Sequence, residues 1–126
     1  MRSPLLAWAV LVVLGAPLPA AAHHSTANFD QNKANTFTGT VRYFSFTSPH
    51  SFFDMDVMDK AGTVRHYKVF SVAKVVMVRS GWTGMDLKIG DTVTVTTNPD
   101  KKDPSYVYLQ KIVFASGKIW NRDKIF

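Results

Sequence analysis

The sequence predicts an all-β domain, a small five-stranded OB-like barrel with one short helix between strands 3 and 4. Three observations point there. Five stretches carry the period-two alternation, or the Thr, Val and aromatic enrichment, of strands. One short stretch between the third and fourth has apolar residues at helical spacing. A glycine, Gly39, interrupts the first strand, where a long strand must bend to serve both halves of a closed barrel.

The first strand is read over 36–46 (TFTGTVRYFSF), with a bulge or sharp bend at Gly39. Thr47-Ser48-Pro49-His50 ends it, because proline has no amide hydrogen to give to a ladder. In 51–58 (SFFDMDVM), Phe53, Met55 and Val57 share one face, and Asp54 and Asp56 the other. Asp59-Lys60-Ala61-Gly62 turns the chain into a returning strand over 63–70 (TVRHYKVF), which completes a hairpin. The stretch 71–79 (SVAKVVMVR) is expected to be the helix. Val72, Val75, Val76 and Arg79 fall at helical spacing, Ser71 caps the start and Gly81 the end. Four valines there also favour a strand, and the fold would then be an open β-sandwich with a sixth strand. After the Lys88-Ile89-Gly90-Asp91 turn, the fourth strand over 92–97 (TVTVTT) points Val93 and Val95 inward. The segment 98–105 (NPDKKDPS) is a loop, 106–114 (YVYLQKIVF) is the last strand, and 118–126 is a short tail. Trp82, after the helix stop, is expected inside the barrel.

The 126 residues divide into a leader over 1–22, a polar N-terminal arm over 23–35 and a single barrel domain over 36–126. The leader has one Arg after the initiator, an apolar run over 5–16, two prolines and the small-residue end Ala20-Ala21-Ala22. That is the layout of a secretory signal peptide, and the run is shorter than the ~20 residues of a spanning helix. Cleavage before His23 is expected. It leaves no transmembrane segment and places the mature protein in a periplasm or outside the cell. Without Arg2, 14 basic and 9 acidic residues leave a net charge of +5, read as a solvated surface. Export removes nucleic acid from the expected partners.

Composition excludes several chemistries. Cysteine is absent, so no disulfide, thiolate metal site, iron–sulfur cluster or cysteine nucleophile is available. Glutamate is absent too, and every side-chain carboxylate is one of nine aspartates. There is no Gly-x-Ser-x-Gly elbow, and the seven glycines are isolated, so neither a serine hydrolase nor a phosphate-cradling loop is expected. The protein is expected to bind rather than catalyse.

The histidines suggest what it binds. His23 and His24 stand at or beside the new N-terminus, and His50 follows Pro49 at a strand entrance. Imidazole nitrogens and a free α-amine are borderline donors that suit Cu(II). Cleavage before His23 puts amine and ring on one residue, which chelates copper, and His50 adds a further nitrogen. Cleavage before Ala22 or Ala21 puts a histidine third in the chain, where amine, intervening amides and ring bind copper or nickel. The amine's pKa of about 7.7–8.0 makes its proton cheap to displace at neutral pH. His23, His24 and His50 are therefore the candidate metal ligands, with copper the favoured ion. His66 is expected to be an ordinary strand histidine.

A second constellation needs no metal. Tyr43, Phe44, Phe46, Phe52 and Phe53 crowd the first two strands, and OB barrels hold ligands on the face of strands 2 and 3. Phe44 and Phe53 are expected in the core. Should Tyr43, Tyr67, Tyr106 and Tyr108 point outward with Arg42, Arg65 and Lys68, the face suits an oligosaccharide or peptide. Tyr43, Tyr67 and Arg65 are the candidate ligand-binding residues of this alternative. It makes the chain a metal-independent carbohydrate, peptide or protein-binding module, or an accessory subunit of the cell envelope. Asp54 and Asp56 have the spacing of a cation or acid/base pair, and a solvated strand face accounts for them equally.

Several short pieces recur in a familiar order: Ala22-His23-His24-Ser25, Phe29-Asp30, Thr38-Gly39-Thr40-Val41, Ser48-Pro49-His50, Arg79-Ser80-Gly81-Trp82, Leu87 and Gly90-Asp91-Thr92-Val93-Thr94-Val95. Together they resemble a family of small exported bacterial proteins of unknown function. That family usually has Asn where Ser48 stands, and often a glutamate near position 70 and a proline before the helix, both missing here. The resemblance implies one exported domain with an OB-like barrel, and no particular activity.

Overall fold

The computed structural model describes residues 25–125. The leader over 1–22 lies outside the described residues, as do His23 and His24. The order among those described is β1 (Asn35–Ser45), β2 (Phe52–Met58), β3 (Val64–Phe70), α1 (Lys74–Arg79), β4 (Thr92–Pro99), β5 (Tyr106–Val113) and β6 (Ile119–Asn121). Two 3-10 turns, Ser25–Asn28 and Arg122–Lys124, flank this core. The strands lie side by side as β3-β2-β1-β4-β5-β6, and a parallel β3–β5 pairing closes the first five into a barrel. The short helix sits between β3 and β4, as the spacing predicts, so the sandwich alternative falls.

β1 serves both halves of the barrel. Its residues 35–40 pair with β4 and its residues 40–45 with β2. The bulge is not at Gly39. It is at Arg42, the extra residue between the Val41↔Met55 and Tyr43↔Asp54 pairs. Gly39 answers a different need: a Cβ there would stand 2.3 Å from the Asp56 carbonyl oxygen, so only glycine lets β2 approach so closely.

The inward alternation forms the core as read. Val41, Phe53, Met55, Val69, Val93, Val95, Val107, Leu109 and Ile112 are fully buried. Phe44 is only half-buried and packs against that core. On the solvent side, threonine pairs bridge β1 and β4, Thr36 to Thr96 at 2.9 Å and Thr38 to Thr94 at 2.7 Å.

Three local expectations need correction. Ser71 does not cap the helix; its amide donates to Ser51 O at 2.8 Å, and α1 begins only after Ala73. Lys74 N donates to Thr47 O at 3.0 Å, which ties the helix start to the Pro49-His50 corner. The tail is not a mere end: it carries β6, because Trp120 is buried and its indole donates to Ser80 Oγ at 2.8 Å. The arm opens with a 3-10 turn and is then pinned by buried Phe29, which bridges to Asp100. No helix among the described residues is long and apolar enough to cross a membrane.

Candidate functional site

Two places gather the residues singled out in the sequence. The first is the corner between β1 and β2. The Thr47 amide donates to Ser51 Oγ at 3.2 Å, Ser51 Oγ donates back to Thr47 O at 3.0 Å, and Thr47 Oγ1 donates to His50 O at 3.2 Å. The Ser48–Pro49 bond within it is cis. His50 is half-buried, with Nδ1 at 3.3 Å from Ser71 O. A carbonyl oxygen can only accept, so Nδ1 carries the hydrogen and the ring's lone pair sits on Nε2. Metal-binding histidines are commonly oriented by such a carbonyl.

The described start of the chain is held against β3, β5 and the end of β4. Phe29 packs on Tyr108 at 5.4 Å and on Phe70 at 6.1 Å between ring centroids. Asp30 N donates to Pro99 O at 2.8 Å, and Lys101 donates from its amide to Asn28 O and from Nζ to Ala27 O, each at 3.0 Å. Thr26 and Ala27 consequently line one depression with Val72. The Val72 carbonyl in turn accepts from the amide of Ser51, the residue after His50, at 3.2 Å. His23 and His24 lie outside the described residues. Among the described residues no three His, Asp, Glu or Cys side chains gather as a metal cage.

The second place is the outer face of β1, β2 and β3. The hairpin register sets it, pairing Phe52 with Phe70, Asp54 with Lys68 and Asp56 with His66. A row of rings crosses four strands. Tyr43 packs on Phe52 at 5.7 Å, Phe52 on Phe70 at 6.1 Å and Phe70 on Tyr106 at 5.9 Å. An ionic row runs alongside. Lys68 Nζ is 3.3 Å from Asp54 Oδ1, an ion pair without hydrogen-bond alignment, and 4.2 Å from the Phe52 centroid. Asp56 accepts from Arg42 Nε at 2.7 Å on one oxygen and from His66 Nδ1 at 2.5 Å on the other. Arg65 Nε donates to Asp59 at 3.2 Å near the turn, off this row, since Arg65 pairs with Val57 on the other side of the hairpin.

The structure divides the residues proposed for this face. Tyr67, paired with Met55, and Arg65, paired with Val57, alternate onto the opposite face of β3, where Tyr67 packs against the core. Both reach the rim of a depression of about 270 Å³ with His66 and Ser105. Tyr43 stands apart, at the far end of the ring row. One face of Tyr67 is already taken by Phe37, at 4.5 Å. Tyr108 is buried beneath Phe29 and the Arg122 guanidinium, 4.4 Å from its ring, and does not join the face. His66 is an exposed residue of β3 that pairs with Asp56. Sequence reasoning missed Phe70 and the Arg42–Asp56–His66 group. Counting pairs outward from the 59–62 turn would have found Phe70 beside Phe52 and His66 beside Asp56, though not Arg42, which reaches Asp56 from the β1 bulge.

Hydrogen bonds from Arg42 and then His66 hold the Asp56 carboxyl below the usual carboxylate range. The Thr63 amide, with help from Arg65 and the Ala61 amide, does the same for Asp59 at the turn. A carboxyl whose pKa falls on folding adds stability above its unfolded pKa and loses it as pH drops through the folded value. Asp56→Asn should therefore lower the urea midpoint at neutral pH. The gap to the parent should close as the solution becomes more acidic than the ordinary carboxylate range. A gap that persists unchanged into strong acid would mean that the charge contributes nothing.

A family model described as a family of unknown function (DUF6152) matches residues 10–106. No curated protein matches the chain. Among solved structures it is similar to "Crystal structure of the ZRD-deleted mutant of TiaS in complex with agmatine", at 20% identity and a TM-score of 0.47. The likeness covers 66% of this chain and 21% of that one.

Proposed function

The chain belongs to the family of unknown function DUF6152, and from its own residues we propose an exported, non-enzymatic protein that binds a copper-type metal ion. In this reading residues 1–22 are a leader removed on export. The new α-amine, His23 and His24 supply nitrogen donors from the arm, and His50 adds its ring from the barrel. The residues from 36 onward act as the rigid support.

One juxtaposition carries the reading. The arm is pinned so that Thr26 and Ala27 lie in one depression with Val72, next to the carbonyl that orients His50. The Phe29 anchor removes most of the loop-closure entropy that would otherwise oppose bringing the tip to the corner. The Nδ1–H bond to Ser71 O leaves Nε2 as the basic nitrogen, the form a metal needs.

Mass spectrometry of the exported protein determines the N-terminus. Cu(II) titration of that species, followed by electron paramagnetic resonance, should show one tight site with nitrogen donors. His50→Ala should weaken it by about tenfold or more. His23→Ala combined with His24→Ala should abolish it. Retention of the leader in the exported protein, or copper affinity unmoved by all three substitutions, ends the proposal.

A further inference from the structure

We propose that the outer face of β1, β2 and β3 binds a neutral oligosaccharide, held between Tyr43 and Tyr106 and laid along the ionic row. The proposal does not rest on the metal reading, since it uses none of His23, His24 or His50. It starts from rings on the wrong side of a barrel. The inward positions of β2 and β3 already supply Phe53, Met55 and Val69 to the core. Tyr43, Phe52, Phe70 and Tyr106 form a separate row outside it, and Tyr43 and Tyr106 remain 49% and 42% exposed. Lys68 lies over Phe52, so the two tyrosines are the open platforms, three ring-to-ring steps apart. Outward apolar surface of this kind marks a contact site more often than a packing need.

Charge selects the ligand class. Both Arg and Lys side chains on this face already sit on a carboxylate: Arg42 on Asp56 and Lys68 on Asp54. A polyanion would meet Asp54 and Asp56 between its intended partners, and no cation is left uncompensated to receive it. An apolar partner would strip water from these ions and return no hydrogen bonds. A neutral polyhydroxyl chain meets both rows. Its C–H faces stack on the tyrosine rings, while its hydroxyls donate to Asp54 and Asp56 and accept from Arg42 and Lys68. The depression beside the row, lined by Arg42, Asp56, His66, Tyr67, Lys68 and Tyr106 among others, has a volume of about 470 Å³. That falls within the usual size of small-ligand sites. The ligand faces of OB-type barrels occupy the same strands.

The mature protein is titrated with soluble neutral gluco-, manno- and chito-oligosaccharides, and separately with heparin, all in the presence of a chelator. Amide chemical shifts report where each binds. A neutral member should bind, move the amides of β2 and β3, and keep its affinity at half-molar salt. Tyr43→Ala and Tyr106→Ala should each weaken it by about tenfold or more, by analogy with other aromatic stacking platforms. Tyr43→Phe and Tyr106→Phe should retain it, which separates stacking from any damage to the fold. His23→Ala with His24→Ala should leave it unchanged, so failure here and failure of the copper reading are independent. The idea is overturned if no neutral member moves this face at millimolar concentration, or if binding ignores both alanine variants. It is equally overturned if only heparin binds, with the steep salt dependence of phosphate- or sulfate-type contacts.

Discussion

Gly39→Ala should lower the melting temperature of the barrel by about 15 °C or more. The argument is steric. An alanine Cβ would sit 2.3 Å from the backbone oxygen of Asp56 and 2.8 Å from both Met55 Cε and Val57 Cγ2. The side-chain atoms can shift, but the carbonyl belongs to the β2 backbone and cannot move without parting the strands. Overpacking of this kind costs about 3 kcal/mol or more. For a domain of this size each kcal/mol is worth about 4–8 °C. Gly84→Ala is the control: nothing lies within 4 Å of its added carbon and its φ is not positive, so the variant should match or slightly exceed the parent. Thermal unfolding followed by far-UV circular dichroism reads both. Equal melting temperatures for the two variants would show that β1 and β2 do not approach as described.

The same glycine shows how far a sequence can be read. A glycine inside a strand signals an irregularity, and Gly39 immediately precedes Thr40, the residue at which β1 passes from pairing with β4 to pairing with β2. The signal does not say which irregularity. The extra residue is Arg42, which has no local property that distinguishes it, since bulges are set by the register of the partner strand. The five barrel strands were legible because alternation is a local consequence of one face being buried. β6 was not. Three residues cannot show a period, and it forms only because Trp120 finds the space behind α1 and its indole reaches Ser80. Ser71 misled because it has the chemistry of a helix cap, but α1 begins only after Ala73 and the Ser71 hydroxyl meets no partner among the described residues.

The candidate sites divide along the same line. The outer face is a matter of hairpin register, and register follows from the position of a turn. Asp56 and His66 could thus have been paired from the sequence alone, and Phe52 with Phe70. The anchoring of the arm could not. It depends on Phe29 settling on Phe70 and Tyr108, rings from two strands that meet only through the parallel closure of the barrel. A single aromatic in a polar arm is a hint that the arm is tied down, and it carries no information about where.

Trp82→Ala should be the other severe substitution, costing about 3–5 kcal/mol. Trp82 is buried at the centre of an aromatic group, edge-on to Phe114 at 4.8 Å and Trp120 at 5.7 Å, and stacked with Phe44 and Phe46 at 6.2 and 6.5 Å. Alanine leaves a cavity that four rings cannot all collapse into. Trp82→Phe discriminates packing from polarity. The indole Nε1–H of Trp82 is buried with no hydrogen-bond partner among the described residues. Removing it relieves a desolvation penalty of about 1–3 kcal/mol, which offsets much of the lost volume. Trp120→Phe runs the other way, because that indole donates to Ser80 Oγ at 2.8 Å and the bond is lost with the nitrogen. The expected order of urea midpoints is parent, then Trp82→Phe, then Trp120→Phe, with Trp82→Ala lowest. Reversal of the two phenylalanine variants would mean that ring packing, not hydrogen bonding, sets the role of each tryptophan. Coincidence of Trp82→Phe with Trp82→Ala would mean that the six-membered ring alone fills none of the space that matters.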